Sequence, residues 1–356
     1  MASDNNGVEM LAVTLYSTIK NNIKDNINIF IIHTDISATN QKEVCKLESI
    51  RKNINIKFYK IDNSFFSDVE LTNQTVSMPA YYRYFAPDIL KNEDRVLYMD
   101  FDMLCIDSLS HLYNIDMQDN YIAAVEDYYV SSTGDYPGFK AGIRFNSTDV
   151  YYNSGLLLMD LNKLRTSGIM DVFWRNIRNK TKIIPKKYNI FADQTITNIT
   201  FKNKILQLDY RYNAVVSVFK YRHLDNPAII HFSGRDKPFT CYDDFSAKYS
   251  DIYYDYYVEC MSVLGRDASK LLKNAMRKLG LETNNAVDNL KISQKLAKDK
   301  SNHVQELLKQ LEEEKKIKEE KIKELEDHIY IMENSKSWKI TKPIRNIKEL
   351  KTKIKK

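Results

Sequence analysis

Up to about residue 262 the chain alternates between two hydrophobic periods. Short runs rich in β-branched and aromatic residues predict strands at Ile27–His33, Ile54–Ile61, Arg95–Met99, Tyr121–Val125, Gly155–Met159 and Ala228–Phe232. Val8–Lys20 and Gln41–Lys52 carry apolar residues at i, i+3 and i+4 and predict helices. Strand runs alternating with helices point to an α/β domain with a mostly parallel central sheet covered on both faces. Such sheets take their ligands outside the carboxyl ends of the strands, so functional residues are expected just after those runs.

Beyond Gly280 the pattern changes. With Ser301 as heptad position a, the a/d sites to Met332 are Ser301, Val304, Leu308, Leu311, Lys315, Lys318, Ile322, Leu325, Ile329 and Met332, seven of them apolar. That density predicts a coiled coil and, with it, a homodimer. Lys315 and Lys318 interrupt the seam, and a long solvated helix stabilised by i,i+4 Glu–Lys pairs remains the alternative. The chain is thus divided into a catalytic-type domain (1–262), a helical linker (263–300), a coiled-coil-like helix (301–334) and a basic amphipathic tail (335–356).

Charge sharpens this division. The net charge of +6 is concentrated in residues 335–356, where nine basic side chains face one acid, Glu349; the first 334 residues carry a net −2. A near-neutral domain with a cationic tail is no coat for nucleic acid. Nine glycines form neither a GxGxxG nor a GxxxxGK[ST] motif, which excludes the dinucleotide and P-loop fingerprints. Cys45, Cys105, Cys241 and Cys260 are scattered without a CxxC, which suits thiols of a reducing compartment. With no secretory signal pattern and no apolar run of about 18 residues, a cytoplasmic protein is expected, peripheral on the cytoplasmic face of the membrane.

The strongest local chemistry is Val96-Leu97-Tyr98-Met99-Asp100-Phe101-Asp102, an apolar strand ending in aspartates at i and i+2. Those positions point to one side of the chain. Paired hard oxygens there suit Mn²⁺ or Mg²⁺, with a phosphate ligand sharing the cation. A phosphohydrolase also uses Asp-x-Asp after a strand, but Leu104 stands where its usual Thr or Val would be.

With its surroundings, this segment resembles the family 8 glycosyltransferases. Ala2-Ser3-Asp4-Asn5-Asn6 resembles their nucleotide-binding loop, and Tyr81-Tyr82-Arg83-Tyr84-Phe85 the helix with a donor-contacting arginine. Asp100-Phe101-Asp102 followed by Asp107-Ser108-Leu109 resembles the metal motif. Tyr152–Met159 and Ala192-Asp193-Gln194 resemble the donor-sugar blocks, and Ile230–Phe239 the His-x-x-Gly-x-x-Lys-Pro segment. The blocks occur in the family's order over about 240 residues.

The resemblance implies a GT-A type fold and a retaining hexosyltransferase that takes UDP-glucose or UDP-galactose. The acceptor would be a cell-surface glycan or glycolipid such as lipopolysaccharide or capsule. It implies Asp100, Asp102 and His231 as metal ligands, and Asp4, Asn6, Arg83, Phe101, Asn153, Ser154, Gly234 and Lys237 around the donor. Gln194 would lie beneath the anomeric carbon, with Asp193 and Asp127 beside it. No carboxylate nucleophile is evident there, so a same-face internal return is expected, with the leaving phosphate taking the acceptor's proton. For Asp4 and Asn6 a helix-capping role is equally compatible with the residues; for Asp193, so is a helix first turn. The family's uracil-stacking tyrosine is replaced by Gly7.

Tyr128–Val150 and Lys182–Ile190 are expected as loops that set acceptor specificity, and Tyr242–Cys260 as an aromatic closing helix. The family's first strand would precede Ala2, so Met1 is expected to be internal to a longer chain. Ser335–Arg345 resembles a Ser-Trp-[Arg/Lys]-x-Thr-x-Pro-[Leu/Ile]-Arg segment at the ends of bacterial glycosyltransferases; a Trp-bearing basic helix fits an anionic membrane surface. The competing reading is a non-catalytic sugar-nucleotide-binding scaffold acting through its coiled coil and tail.

Overall fold

Among the described residues nine strands order the N-terminal unit: β1 (Ile27–His33), β2 (Ile54–Lys60), β3 (Arg95–Met99), β4 (Met103–Cys105), β5 (Ile122–Glu126), β6 (Tyr152–Asp160), β7 (Ile205–Leu208), β8 (Ala214–Val215) and β9 (Ile229–His231). They are seen in a computed structural model that describes residues 1–66, 78–132, 136–218, 224–234, 237–238, 247–268, 313, 316 and 318–327. The basic tail, Cys241 and most of the linker and heptad segment lie outside the described residues; residues 318–327 are helical. Among the described residues no helix is long and apolar enough to cross a membrane.

The fold is α/β, as expected, but the pairing is more mixed than strand–helix alternation suggests. β1 and β2 run parallel, and Ala2 forms a parallel bridge to Ile32. A second sheet has the order β3-β6-β5-β7, and a third the order β4-β9-β8. β6 is antiparallel to both β3 and β5, and β9 is antiparallel to β4, whereas β5–β7 and β8–β9 are parallel. The reason is local. β6 follows β5 directly in strand order and turns back beside it, and antiparallel neighbours need no parallel crossover unit.

β6 is central to its sheet and buried from Asn153 to Met159, which explains its unbroken apolar run. The helix Val8–Asn21 buries Leu11, Leu15 and Ile19 against a core that includes Ile31, Leu104, Ile230 and Phe232. Its Thr14 hydroxyl lies 2.7 Å from the carbonyls of both Phe101 and Met103, tying this helix to the Asp-x-Asp segment. The expected helix at Gln41–Lys52 is an α-helix over Ala38–Val44 continued as a 3-10 helix over Cys45–Ile50.

The chain separates into the units Met1–Ala275 and Met276–Lys356. In the first, the helix Ala247–Leu264 buries Tyr253, Tyr257, Cys260, Met261 and Leu264 in the core shared with the helix Val8–Asn21. Tyr128–Val150 and Lys182–Ile190 are not wholly irregular: short helices occur at Tyr128–Ser132, Phe139–Gly142 and Lys180–Ile183, with a 3-10 turn at Lys186–Tyr188.

Candidate functional site

Three backbone hydrogen bonds assemble the site from strand ends distant in sequence. The N–H of Asp100 donates to the Gly155 carbonyl at 2.8 Å, setting the end of β3 against β6. The N–H of Phe232 donates to the Asp102 carbonyl at 3.0 Å, setting the second aspartate beside the end of β9. The N–H of Asp127 donates to the Tyr151 carbonyl at 2.7 Å. The β5–β6 register shifts between Ala124 and Glu126, a bulge of the kind that re-aims the next side chain. Here that side chain is Asp127.

Asp100, Asp102 and His231 thereby converge, each offering one ligand atom within 4.8 Å of the others. His231 Nδ1 lies 2.8 Å from Asn213 Oδ1, and Nε2 lies 3.3 Å from Asp102 Oδ1. Asp102 Oδ1 is buried and has no hydrogen-bond partner among the described residues. A ligating imidazole that donates from Nδ1 to Asn213 Oδ1 turns its Nε2 lone pair toward Asp102 Oδ1. Two facing lone pairs are reconciled by a cation between them. The donor set, two carboxylates and one imidazole, suits Mn²⁺ or Mg²⁺. Lys237 donates to Asp102 Oδ2 and, at 3.0 Å, to the Phe232 carbonyl.

Arg83 is buried on the other side of Asp100. Its Nη2 lies 3.0 Å from Asp100 Oδ1 and its Nε 3.8 Å from Asp193 Oδ2; Nη1 donates to the Ser154 carbonyl and Nε to the Ala80 carbonyl at 2.7 Å. The guanidinium stacks over Tyr98 at 4.3 Å, while the Tyr98 hydroxyl donates to Asp100 Oδ1 at 2.7 Å. In this arrangement Arg83, expected at the donor, braces Asp100 and the Ser154 backbone.

Burial pushes the Asp193 carboxyl up to about 6; Arg83, committed more closely to Asp100, offsets only part of that effect. The folded chain therefore binds the Asp193 proton more tightly than the unfolded chain does. Its contribution to stability is complete below the ordinary value of 3.8 and is lost as pH rises through about 6. Asp193→Asn removes the titration. In denaturant unfolding between pH 4 and 7.5 the wild type is expected to lose about 2 kcal/mol relative to this variant. Parallel profiles for the two proteins would contradict it.

Gln194 is held at both ends. Its Nε2 donates to Asp127 Oδ2 at 3.0 Å, and its Oε1 accepts the Ser154 N–H at 3.0 Å. Asn153 Nδ2 reaches the same Asp127 oxygen at 3.4 Å, and Val130 N–H donates to Asp127 Oδ1 at 3.3 Å. Burial raises the Asp127 carboxyl against these donors. Asp127, Asn153, Gln194, Tyr128, Tyr210 and Gly234 are among the residues lining a cleft of about 350 Å³.

Gly7 lies beside the Asp-x-Asp segment: a Cβ there would sit 3.3 Å from the Phe101 ring and 2.5 Å from Ser3 Oγ. Asp4 Oδ1 accepts the N–H groups of Asn6 and Gly7 at 3.0 and 2.9 Å, which closes the turn before the first helix, whose cap is Gly7. Asn6 is exposed on that turn. Two contributors were not legible in the sequence. Asn213 sits in Tyr210-Arg211-Tyr212-Asn213 with no motif to mark it. Gly155 matters through contact, since a Cβ there would fall 2.4 Å from His231 Cε1 and 3.1 Å from Asp100 Oδ2.

Residues 1–240 match the family described as glycosyl transferase family 8. The chain belongs to that family. The family 8 domain is 30% identical over 252 residues to the glycosyltransferase GlyF of Streptococcus pneumoniae, covering 68% of this chain and 57% of GlyF. It thus spans less than two thirds of that relative. It is 24% identical over 252 residues to the lipopolysaccharide 1,2-glucosyltransferase of Escherichia coli, covering 66% of this chain and 70% of that protein. In three dimensions it is similar to the galactosyltransferase LgtC, solved with donor and acceptor sugar analogues. There the TM-score is 0.64 at 23% identity, over 72% of this chain and 94% of LgtC. The likeness places the family 8 domain in the GT-A fold expected from its sequence.

Proposed function

We propose that the family 8 domain is a retaining, metal-dependent hexosyltransferase that moves glucose or galactose from UDP-glucose or UDP-galactose to a cell-surface glycan or glycolipid. The reading rests on one observation above all. Asp100, Asp102 and His231 meet with ligand atoms within 4.8 Å of one another, and Gly234 and Gln194 line the adjoining cleft. The similar proteins keep both sugars in the donor set, since one is a glucosyltransferase and one a galactosyltransferase.

Departure of a nucleoside diphosphate leaves concentrated negative charge, and a bound Mn²⁺ or Mg²⁺ supplies the electrophilic charge that offsets it. The chain's own residues contribute beside the ion. Lys237 adds an ammonium and Gly234 a backbone N–H, on a glycine whose positive φ of 68° leaves its Cα face open. Gln194 is the polar group assigned to the anomeric centre. Its oxygen keeps a second lone pair beyond the one engaged by Ser154, and an amide oxygen there stabilises positive charge without forming a lasting covalent bond. Asp127 orients that amide through Nε2. The cleft beyond it, with Tyr128 and Tyr210, is assigned to the acceptor, whose hydroxyl proton passes to the departing phosphate.

The test is turnover of UDP-glucose and UDP-galactose, with and without added oligosaccharide. Activity is expected with Mn²⁺, is expected to disappear on removal of divalent ions with EDTA, and is expected to return when Mn²⁺ is restored. Full activity in EDTA would end the metal assignment, and binding of UDP-sugars without turnover in any condition would favour the scaffold reading.

A further inference from the structure

The polar groups beneath the site form a directed chain. Asp127 accepts N–H groups on both carboxylate oxygens, from Val130 on Oδ1 and from Gln194 and Asn153 on Oδ2. A carboxylate that only accepts obliges Asn153 to present its Nδ2 to it, which turns Asn153 Oδ1 the other way. That oxygen accepts the Gly155 N–H at 2.9 Å and Asn213 Nδ2 at 2.9 Å. Asn213, donating through Nδ2, then presents Oδ1 to His231 Nδ1 at 2.8 Å. Asn153, Asn213 and His231 are 8%, 2% and 2% exposed, so water offers little competition for these bonds.

We infer that Asn213 is a positioning residue that fixes His231 as its Nδ1–H tautomer, aims the Nε2 lone pair at the cation held with Asp100 and Asp102, and links that cation to the donor-sugar residue Asn153. The geometry leaves Asn213 Oδ1 no other role. Asn213 Nδ2 is committed to Asn153 Oδ1, so a proton moved to Nε2 would leave Asn213 Oδ1 and Nδ1 facing as two acceptors and would itself point at Asp102 Oδ1, 3.3 Å away, where a cation must sit. Outer partners that orient a ligating histidine generally alter metal affinity by about 10–100-fold when removed. The inference rests on the metal site proposed above, and its test separates the two.

Asn213→Leu keeps the branched outline and heavy-atom count and removes both polar groups; Asn213→Asp keeps an acceptor for His231 and removes the donor to Asn153. Mn²⁺ affinity without nucleotide is read by electron paramagnetic resonance. The protonation of His231 Nδ1 is read by ring-¹⁵N histidine NMR of metal-free protein at pH 8.5, with His231→Gln as the assignment control. In wild type Nδ1 is expected to keep its proton. In Asn213→Leu the proton is expected at Nε2, with Mn²⁺ binding weakened at least about tenfold. Asn213→Asp is expected to keep the Nδ1 proton and Mn²⁺ affinity within about threefold of wild type while raising the KM for donor.

An Asn213→Leu protein with an unchanged Nδ1 proton and unchanged Mn²⁺ affinity overturns the inference. If Asn213→Leu does not fold, the Asp variant decides: loss of the Nδ1 proton or of Mn²⁺ affinity there overturns it as well. Failure of wild type to bind Mn²⁺ would instead remove the metal reading on which the inference stands.

Discussion

Asp102→Asn is expected to lower Mn²⁺-dependent donor turnover by at least about 10³-fold, equivalent to about 4 kcal/mol of lost transition-state stabilisation. The size follows from the position of this carboxylate. Its Oδ1 is buried, faces His231 Nε2 and has no hydrogen-bond partner among the described residues, and its Oδ2 holds Lys237. An amide halves the acceptor capacity, removes the negative charge, and can present an N–H₂ group where a cation must sit. Lys237 also loses its carboxylate, so the two positive groups assigned to the diphosphate change together. Thermal unfolding gives a readout independent of catalysis. A ligand that binds only the folded state raises its stability by RT ln(1 + [L]/Kd), so Mn²⁺ should raise the Tm of wild type and leave that of the variant nearly unmoved. An Asp102→Asn enzyme that turns over donor at the wild-type rate, or shows the wild-type Mn²⁺ shift, would refute the assignment.

Much of this site was legible because its chemistry lies next to strong strand signals. Val96–Met99 is apolar and ends in two aspartates, and Ile229 and Ile230 lead directly into His231; both pairs of features survive folding as strand ends. The short strands β4, β7 and β8 were not legible. Runs of two to four residues carry too little periodicity, and their pairing with β9 and β5 is decided by long-range burial. Strand direction was hidden for a similar reason: apolar continuity reports that β6 is buried on both faces, not which way its neighbours run. The inward placement of Arg83 was not legible. The carboxylates that bind it, Asp100 and Asp193, are 17 and 110 positions away. Asn213 had no signal at all, because an asparagine after two tyrosines is ordinary in sequence and becomes specific only between Asn153 and His231.

Gly155→Ala is the second large effect, and a single methyl group is expected to produce it. The Cβ would lie 2.4 Å from His231 Cε1, 3.0 Å from Asn153 Oδ1 and 3.1 Å from Asp100 Oδ2. Relief by backbone movement is resisted, since Gly155 sits in the central strand β6, its carbonyl accepts the Asp100 N–H, and its own N–H donates to Asn153. Relief by the imidazole is resisted by Asn213 at 2.8 Å. Overpacking of this kind costs about 1–3 kcal/mol of stability. Because the clash bears on two proposed metal ligands at once, kcat/KM for donor is expected to fall about 100-fold, or near 2.7 kcal/mol, with Mn²⁺ affinity falling alongside it. Gly234→Ala separates crowding from backbone strain. A Cβ at Gly234 meets nothing within 4 Å, yet its φ of 68° costs an alanine about 1–2 kcal/mol. That variant should lose stability while keeping Mn²⁺ affinity, because Gly234 contributes a backbone N–H that alanine retains. A Gly155→Ala protein with wild-type Mn²⁺ affinity would show that His231 has room to move, and the tight support described for the imidazole would be wrong.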